Sequence, residues 1–135
     1  MITGINIYQN YYVDSVPHRQ EEIEYCRAKN RVLNLTETPI SYREITERMT
    51  YNQVFAMTEK YTDQLHIIAN SDIFFEVFDL KNIVNLYAKH PNRDRMCFAL
   101  TRWDVQPDGS IEFMNRADSQ DVWIFYGAVP QIEGA

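Results

Sequence analysis

The chain has 135 residues, of which 45% are hydrophobic and 24% charged, and its formal net charge is -6. This length provides one domain with one core, expected to span residues 1–135, and this composition excludes a disordered chain. The negative charge excludes a general nucleic-acid binder or a binder of anionic membranes, since either needs a basic face, but it leaves room for a small phosphorylated ligand held by one local cation or metal. No apolar run reaches the length of a transmembrane helix, which argues against membrane insertion, and residues 1–12 lack the basic start and apolar stretch of a signal peptide. Cys26 and Cys97 make neither a disulfide framework nor a metal-binding pair. The expected setting is cytoplasmic, with both thiols reduced and buried.

Taken in order, Gly4 to Tyr8 alternates Ile5 and Ile7 with polar neighbours and reads as a first strand. Pro17 stands where a helix begins, and His18 to Asn30 is that helix, acidic early (Glu21, Glu22, Glu24) and basic late (Arg27, Lys29) as the helix dipole favours. Arg31 to Leu35 reads as a second strand. Thr36 to Arg48 holds a short helix or strand around Tyr42 to Ile45. Thr50 to Tyr61 is a helix that opens on a capping-box spacing, Thr50 with Gln53.

Leu65 to Ala69 has the length and composition of a fully buried strand, and it turns polar at Asn70, Ser71 and Asp72. A buried strand that ends in a carboxylate delivers it to the rim where open α/β sheets bind ligands. The same three residues also suit a simple turn. A helix follows from Leu80 to His90 with Asp79 as its N-cap. Leu80, Ile83, Val84 and Tyr87 form one apolar stripe, and Pro91 stops the helix. Met96 to Val105 reads as a strand, Pro107-Asp108-Gly109 as a turn, and Ser110 to Met114 as the returning arm of a hairpin. Val122 to Tyr126 is a last apolar strand or buried segment, and the tail from Gly127 to Ala135 is expected to fray. The alternation of strands and helices predicts an α/β fold: a mostly parallel central sheet with helices on both faces, a three-layer sandwich, and one small antiparallel hairpin.

Three strings carry a resemblance: Ile-Ile-Ala-Asn-Ser-Asp-Ile-Phe-Phe (67 to 75), Ala-Leu-Thr-Arg-Trp-Asp (99 to 104) and Ser-Gln-Asp-Val-Trp-Ile-Phe (119 to 125). With Arg19 to Cys26 and Met49 to Phe55 upstream, the ordered set resembles small glycosyltransferase-like proteins of the GT-A fold. The resemblance implies transfer of a sugar from a nucleotide-diphosphate donor to an acceptor hydroxyl. It also implies a divalent metal, Mn2+ or Mg2+, that bridges the diphosphate oxygens and stabilises their growing charge.

In that family the metal is held by an Asp-x-Asp motif; here the motif reads Asn70-Ser71-Asp72. Asp72 is the implied metal ligand, and Asn70 offers an uncharged oxygen or a contact to the ribose. Asp121 matches the aspartate implied as catalytic base, although Asp118 to Asp121 also suits a helix cap. Arg102 pairs with a phosphate or with a buried carboxylate, and Trp103 either stacks on a sugar or packs in the hairpin against Val105, Ile111 and Phe113. The nucleotide is placed near Gln9, Asn10 and Tyr11, with Tyr12 equally suited to stack on a base, and with Tyr51 and Asn52 close by. Arg19 faces the diphosphate or pairs with Glu22. His66, inside an apolar strand, reads as a satisfied core histidine.

Members of the family are usually longer, so three outcomes fit the chain. It is a minimal enzyme, it completes its acceptor site as a homo-oligomer, or it is a relative that binds without turnover. The alternatives to a glycosyltransferase are therefore a non-catalytic nucleotide-sugar binding module and an interaction protein of the same fold.

Overall fold

The computed structural model describes residues 1–113 and 120–135. The elements in order are β1 (Ile5–Asn10), α1 (Pro17–Arg31), β2 (Ile40–Ile45), α2 (Tyr51–Thr58), β3 (Leu65–Ala69), α3 (Val77–Lys89), a short 3-10 turn (Arg93–Arg95), β4 (Cys97–Leu100), β5 (Trp103–Val105), β6 (Ile111–Phe113) and β7 (Val122–Tyr126). Five strands form one sheet in the order β2-β1-β3-β7-β4, and β5 and β6 form a separate antiparallel pair.

The sheet is mixed. β1 pairs in parallel with both β2 and β3, whereas β7 runs antiparallel between β3 and β4. The expected parallel character therefore holds on one side of β3 only. β3 is fully buried along its length, as a strand with neighbours on both edges must be when both of its faces are covered.

Side chains alternate across β1 and β3 and feed two separate cores. Ile5, Ile7, Leu65, Ile67 and Ala69 join Leu80 and Tyr87 of α3 and Ile124 of β7. On the other face Tyr8 and Ile68 join Val54 and Phe55 of α2. The apolar stripe expected on α3 is the one that packs, with Leu80 and Tyr87 fully buried. The Tyr87 hydroxyl is satisfied by donating to the Ile124 carbonyl at 2.8 Å.

Several elements depart from expectation, each for a local reason. Residues 32–35 make no strand. α1 runs on to Arg31, and Leu33 and Leu35 bury their side chains from a connecting segment. The second strand is Ile40–Ile45, entered after Pro39, whose carbonyl accepts from Ile5 N–H at 2.9 Å. α3 begins three residues early. Asp79 is not its cap but sits one turn in, where its carboxylate accepts the Glu76 N–H at 3.2 Å.

The expected strand over Met96 to Val105 breaks at Thr101 and Arg102, because β4 belongs to the main sheet and β5 to the hairpin. The hairpin turn is as read, with Gly109 at φ 87°, a left-handed angle that glycine adopts without penalty. Met114 lies outside the described residues. Cys26 is buried as expected, but Cys97 sits on edge strand β4 and is exposed.

The C-terminal segment is anchored. Val129 N–H donates to Thr58 Oγ1 at 2.8 Å, and Ile132 N–H to Asn52 Oδ1 at 2.7 Å. Asn52 N–H in turn donates to the Ala135 carbonyl. Sequence composition alone gave no sign that α2 would offer these partners.

A polar pocket lies within the second core. His66 is fully buried; its Nδ1 meets the Tyr8 hydroxyl at 2.9 Å and its Nε2 meets the Tyr61 carbonyl at 3.0 Å. The carbonyl can only accept, so Nε2 carries the proton and Nδ1 accepts from Tyr8. Burial pushes the Tyr8 phenol up to about 12 and holds the imidazole below its ordinary value. Arg43, whose guanidinium lies 4.4 Å from the centre of the Tyr61 ring, acts on His66 in the same direction.

This fixes a pH dependence. The folded state resists protonating His66, so His66 contributes stability that is fully present above an unfolded pKa near ~6.5 and lost as pH falls from there towards the lower folded value. Urea midpoints measured across that window should fall with acidity. His66→Gln, which keeps a donor for the Tyr61 carbonyl, should flatten the slope. An unchanged slope in the variant would assign the dependence to other groups.

Candidate functional site

β1 has β2 on one side and β3 on the other, so the chain leaves their C-terminal ends in opposite directions. Such a switch point opens a crevice above the sheet, where α/β proteins hold ligands. Here the crevice is a cleft of about 260 Å3 lined by Tyr12, Arg19, Glu22, Ile23, Asn70, Ser71 and Asp72. The loop after β1 and the first turns of α1 make one wall, and the loop after β3 makes the other.

The β3 loop is held firmly from below. Gln9, the penultimate residue of β1, is 1% exposed. Its amide nitrogen donates to the carbonyls of Asn70 and Ile73 at 2.7 and 2.8 Å. Its amide oxygen accepts from Asn30 Nδ2 at 3.1 Å and from the Tyr42 hydroxyl at 2.8 Å. Asn30 of α1 completes the clamp by donating to the Ile73 carbonyl at 2.9 Å and accepting from Phe75 N–H at 3.1 Å. Ser71 Oγ donates to the Asn10 carbonyl at 2.6 Å. β1 and α1 thus position the loop that carries Asp72, which is itself exposed on the cleft wall.

Behind that wall lies the second part of the site. Asp121, just ahead of β7, is 4% exposed. Asn70 Nδ2 donates to its Oδ1 at 3.1 Å, and Arg102 Nη1 donates to both carboxylate oxygens at 3.2 and 3.3 Å. Arg102 Nε also donates to Asp104 at 2.7 Å. Asp104 foremost, with Asp121, holds the Arg102 guanidinium firmly protonated. Of the two partners expected for Arg102, the structure supplies the buried carboxylate. Asp121 caps no helix; its own N–H donates to the Leu100 carbonyl, which ties β7 to β4. Asp118 lies outside the described residues. Trp103 packs in the hairpin, its ring 5.3 Å from that of Phe113.

The expected nucleotide residues are not all brought together. Arg19, Asn70 and Asp72 share the cleft. Gln9 lies beneath it with its amide fully used, and Asn10 spends its amide on the carbonyls of Ile45 and Glu47. Tyr11 bonds through its hydroxyl to Glu24, and its ring is covered by the Arg27 guanidinium at 4.2 Å. Tyr12, not Tyr11, is the aromatic ring on the cleft wall. Tyr51 packs edge-on against Trp123 at 5.5 Å, and Asn52 holds the C-terminal segment, so neither lines the cleft.

Arg19 pairs with Asp14 at 3.4 Å rather than with Glu22. The Tyr12 hydroxyl first, then Asp14, hold it protonated, and Asp72 adds to this. Glu22 and Ile23 are cleft residues for which the sequence reading assigned no binding role. The signal was present: Arg19, Glu22, Ile23 and Cys26 recur at the spacing of one helix face.

A divalent cation was implied by the resemblance, and the donor set does not fit one. Hard cations take six or more oxygens and draw on carboxylates for most of their charge. Among the described residues no group of three or more His, Cys, Asp and Glu side chains could hold a metal. The cleft offers two carboxylates, Glu22 and Asp72, and a guanidinium stands with them. Ser71 Oγ is committed to Asn10, and Asp121 is enclosed by Arg102 and Asn70.

Comparison with models of known protein families, with curated proteins and with solved structures finds no match. Among the described residues, no helix is long and apolar enough to cross a membrane.

Proposed function

We propose that the chain is a GT-A-like, three-layer protein that binds a nucleotide-diphosphate sugar in the β1/β3 cleft and transfers the sugar to an acceptor hydroxyl. One observation carries this reading: three strings far apart in sequence, 70–72, 102–104 and 121, meet at one sheet edge through the bonds Asn70–Asp121–Arg102–Asp104. These are the strings on which the family resemblance rests. In the reaction, the acceptor oxygen forms a bond to the anomeric carbon, the bond from that carbon to the diphosphate oxygen breaks, and the acceptor proton passes to Asp121. Arg19 faces the departing diphosphate and offsets its charge.

A second reading is favoured by the enclosure of Asp121 between Arg102 and Asn70: a module that binds the same donor without turnover. Thermal shift against nucleoside diphosphates and their sugar conjugates tests both. Binding to the folded state alone should raise the melting temperature by several degrees at ~100 times Kd. A shift accompanied by slow donor hydrolysis supports the transferase, and a shift without hydrolysis supports the module. No shift with any member of the panel would sink both.

A further inference from the structure

We infer that this cleft takes a diphosphate without a divalent cation, with Arg19 as the group that offsets its charge. The inference rests on the nucleotide-sugar reading above and departs from the metal that the family resemblance implies. Its ground is the chemistry of the cleft wall. Arg19, Asp72 and Glu22 line the same small space, so a cation placed between the two carboxylates would stand in the field of a guanidinium held protonated by Tyr12 and Asp14. A carboxylate site for a hard cation is built from concentrated negative charge, and this wall is mixed. Arg19 is anchored at one edge by Asp14 at 3.4 Å and is otherwise exposed, so its remaining N–H donors are open to phosphate oxygens. The oxygen donors that could enlarge a metal site are engaged elsewhere: Ser71 donates to Asn10, and the Asn70 carbonyl accepts from Gln9 and from Ile73 N–H.

The two modes of binding predict opposite signs at Asp72. If a cation bridges Asp72 and the ligand, Asp72→Asn removes a metal ligand and weakens binding. If Arg19 alone offsets the charge, Asp72→Asn removes an anion next to another anion and binding holds or tightens. Inorganic pyrophosphate is the cleanest probe, because it has neither a sugar nor a base for Asp72 to contact.

Calorimetric titration of the whole chain with pyrophosphate, in excess EDTA and in excess manganese, should give dissociation constants within about threefold of each other. Arg19→Ala should weaken binding by at least about tenfold, Arg19→Lys should recover part of the loss, and Asp72→Asn should bind at least as tightly as the parent. Arg19 and Asp72 are exposed, so all three variants should keep the parent melting temperature. Binding that needs manganese, or that is lost in Asp72→Asn, overturns the inference and leaves the nucleotide-sugar reading standing. Failure of pyrophosphate and of every nucleoside diphosphate to bind in either buffer overturns both.

Discussion

Asp121→Asn should reduce sugar transfer by at least about 100-fold while leaving a cooperatively folded protein. A positioned general base is worth roughly 10²–10⁴ in rate, and an amide cannot take the proton. The substitution is close in shape. Its oxygen can still accept from Asn70, but its amide group meets Arg102 donor to donor. Arg102 keeps Asp104, and its side chain is 34% exposed, so the orphaned guanidinium is partly solvated. The stability cost should be modest, roughly 1–2 kcal/mol by denaturant midpoint.

Asp121→Ala separates the two roles further. It leaves Asn70 Nδ2 without its acceptor at a site where the partner carboxylate is 4% exposed, and it should cost about 2–3 kcal/mol. If Asp121 only ties β7 to the β3 loop, activity should follow stability across the two variants, with Ala the worse. If Asp121 is the base, both should be equally inactive even though Asn is the more stable. Transfer by Asp121→Asn within about threefold of the parent would remove the base assignment.

The sequence reading succeeded where a local rule decides alone. β3 was bounded at Leu65 and Ala69 because an unbroken apolar run ends there in three turn-forming residues. α2 was located by its Thr50–Gln53 box, which the structure closes in both directions. His66 was read as a satisfied core histidine for its company, and Arg102 as needing an anion.

What failed was decided by long-range pairing. Leu33 and Leu35 look like strand residues because they are buried, yet they bury from a loop. The pattern of apolar positions reports burial and not ladder bonding. The antiparallel insertion of β7 between β3 and β4 has no local signature, because Val122 to Tyr126 would look the same in either direction. At the site, residue type alone could not separate Tyr12 from Tyr11. The difference lies in Glu24 and Arg27, one and two turns into α1, which occupy Tyr11 and leave Tyr12 to the cleft. Gln9 is the clearest case: an amide at the end of β1 was read as a ligand contact, and the structure uses all of it internally.

That use makes Gln9 the position where a small change should do most harm to stability. Gln9→Glu is nearly isosteric, yet it replaces an amide nitrogen donating to two carbonyls with an oxygen that can only accept while ionised. The new oxygen would face the carbonyls of Asn70 and Ile73 at contact distance, in a site 1% exposed. Either the carboxyl protonates, at the cost of a strongly raised pKa, or the loop moves. The expected loss is about 3–5 kcal/mol, near the upper range for a single substitution. Gln9→Met fills similar volume and introduces no charge, but it leaves the Tyr42 hydroxyl without its acceptor and the Asn70 carbonyl without one of its two donors. Its cost should be smaller, about 2–3 kcal/mol.

The comparison isolates hydrogen bonding from packing, because neither variant empties the core. It also reports on the site. Asp72 stands two residues beyond a carbonyl held by Gln9, so loosening that carbonyl should weaken pyrophosphate binding in Gln9→Met even where the protein is fully folded. A Gln9→Met protein that bound pyrophosphate as the parent does, with its stability lowered as expected, would show that the amide clamp serves the fold alone. Equal stability of Gln9→Glu and the parent at neutral pH would mean that the clamp does not exist as drawn.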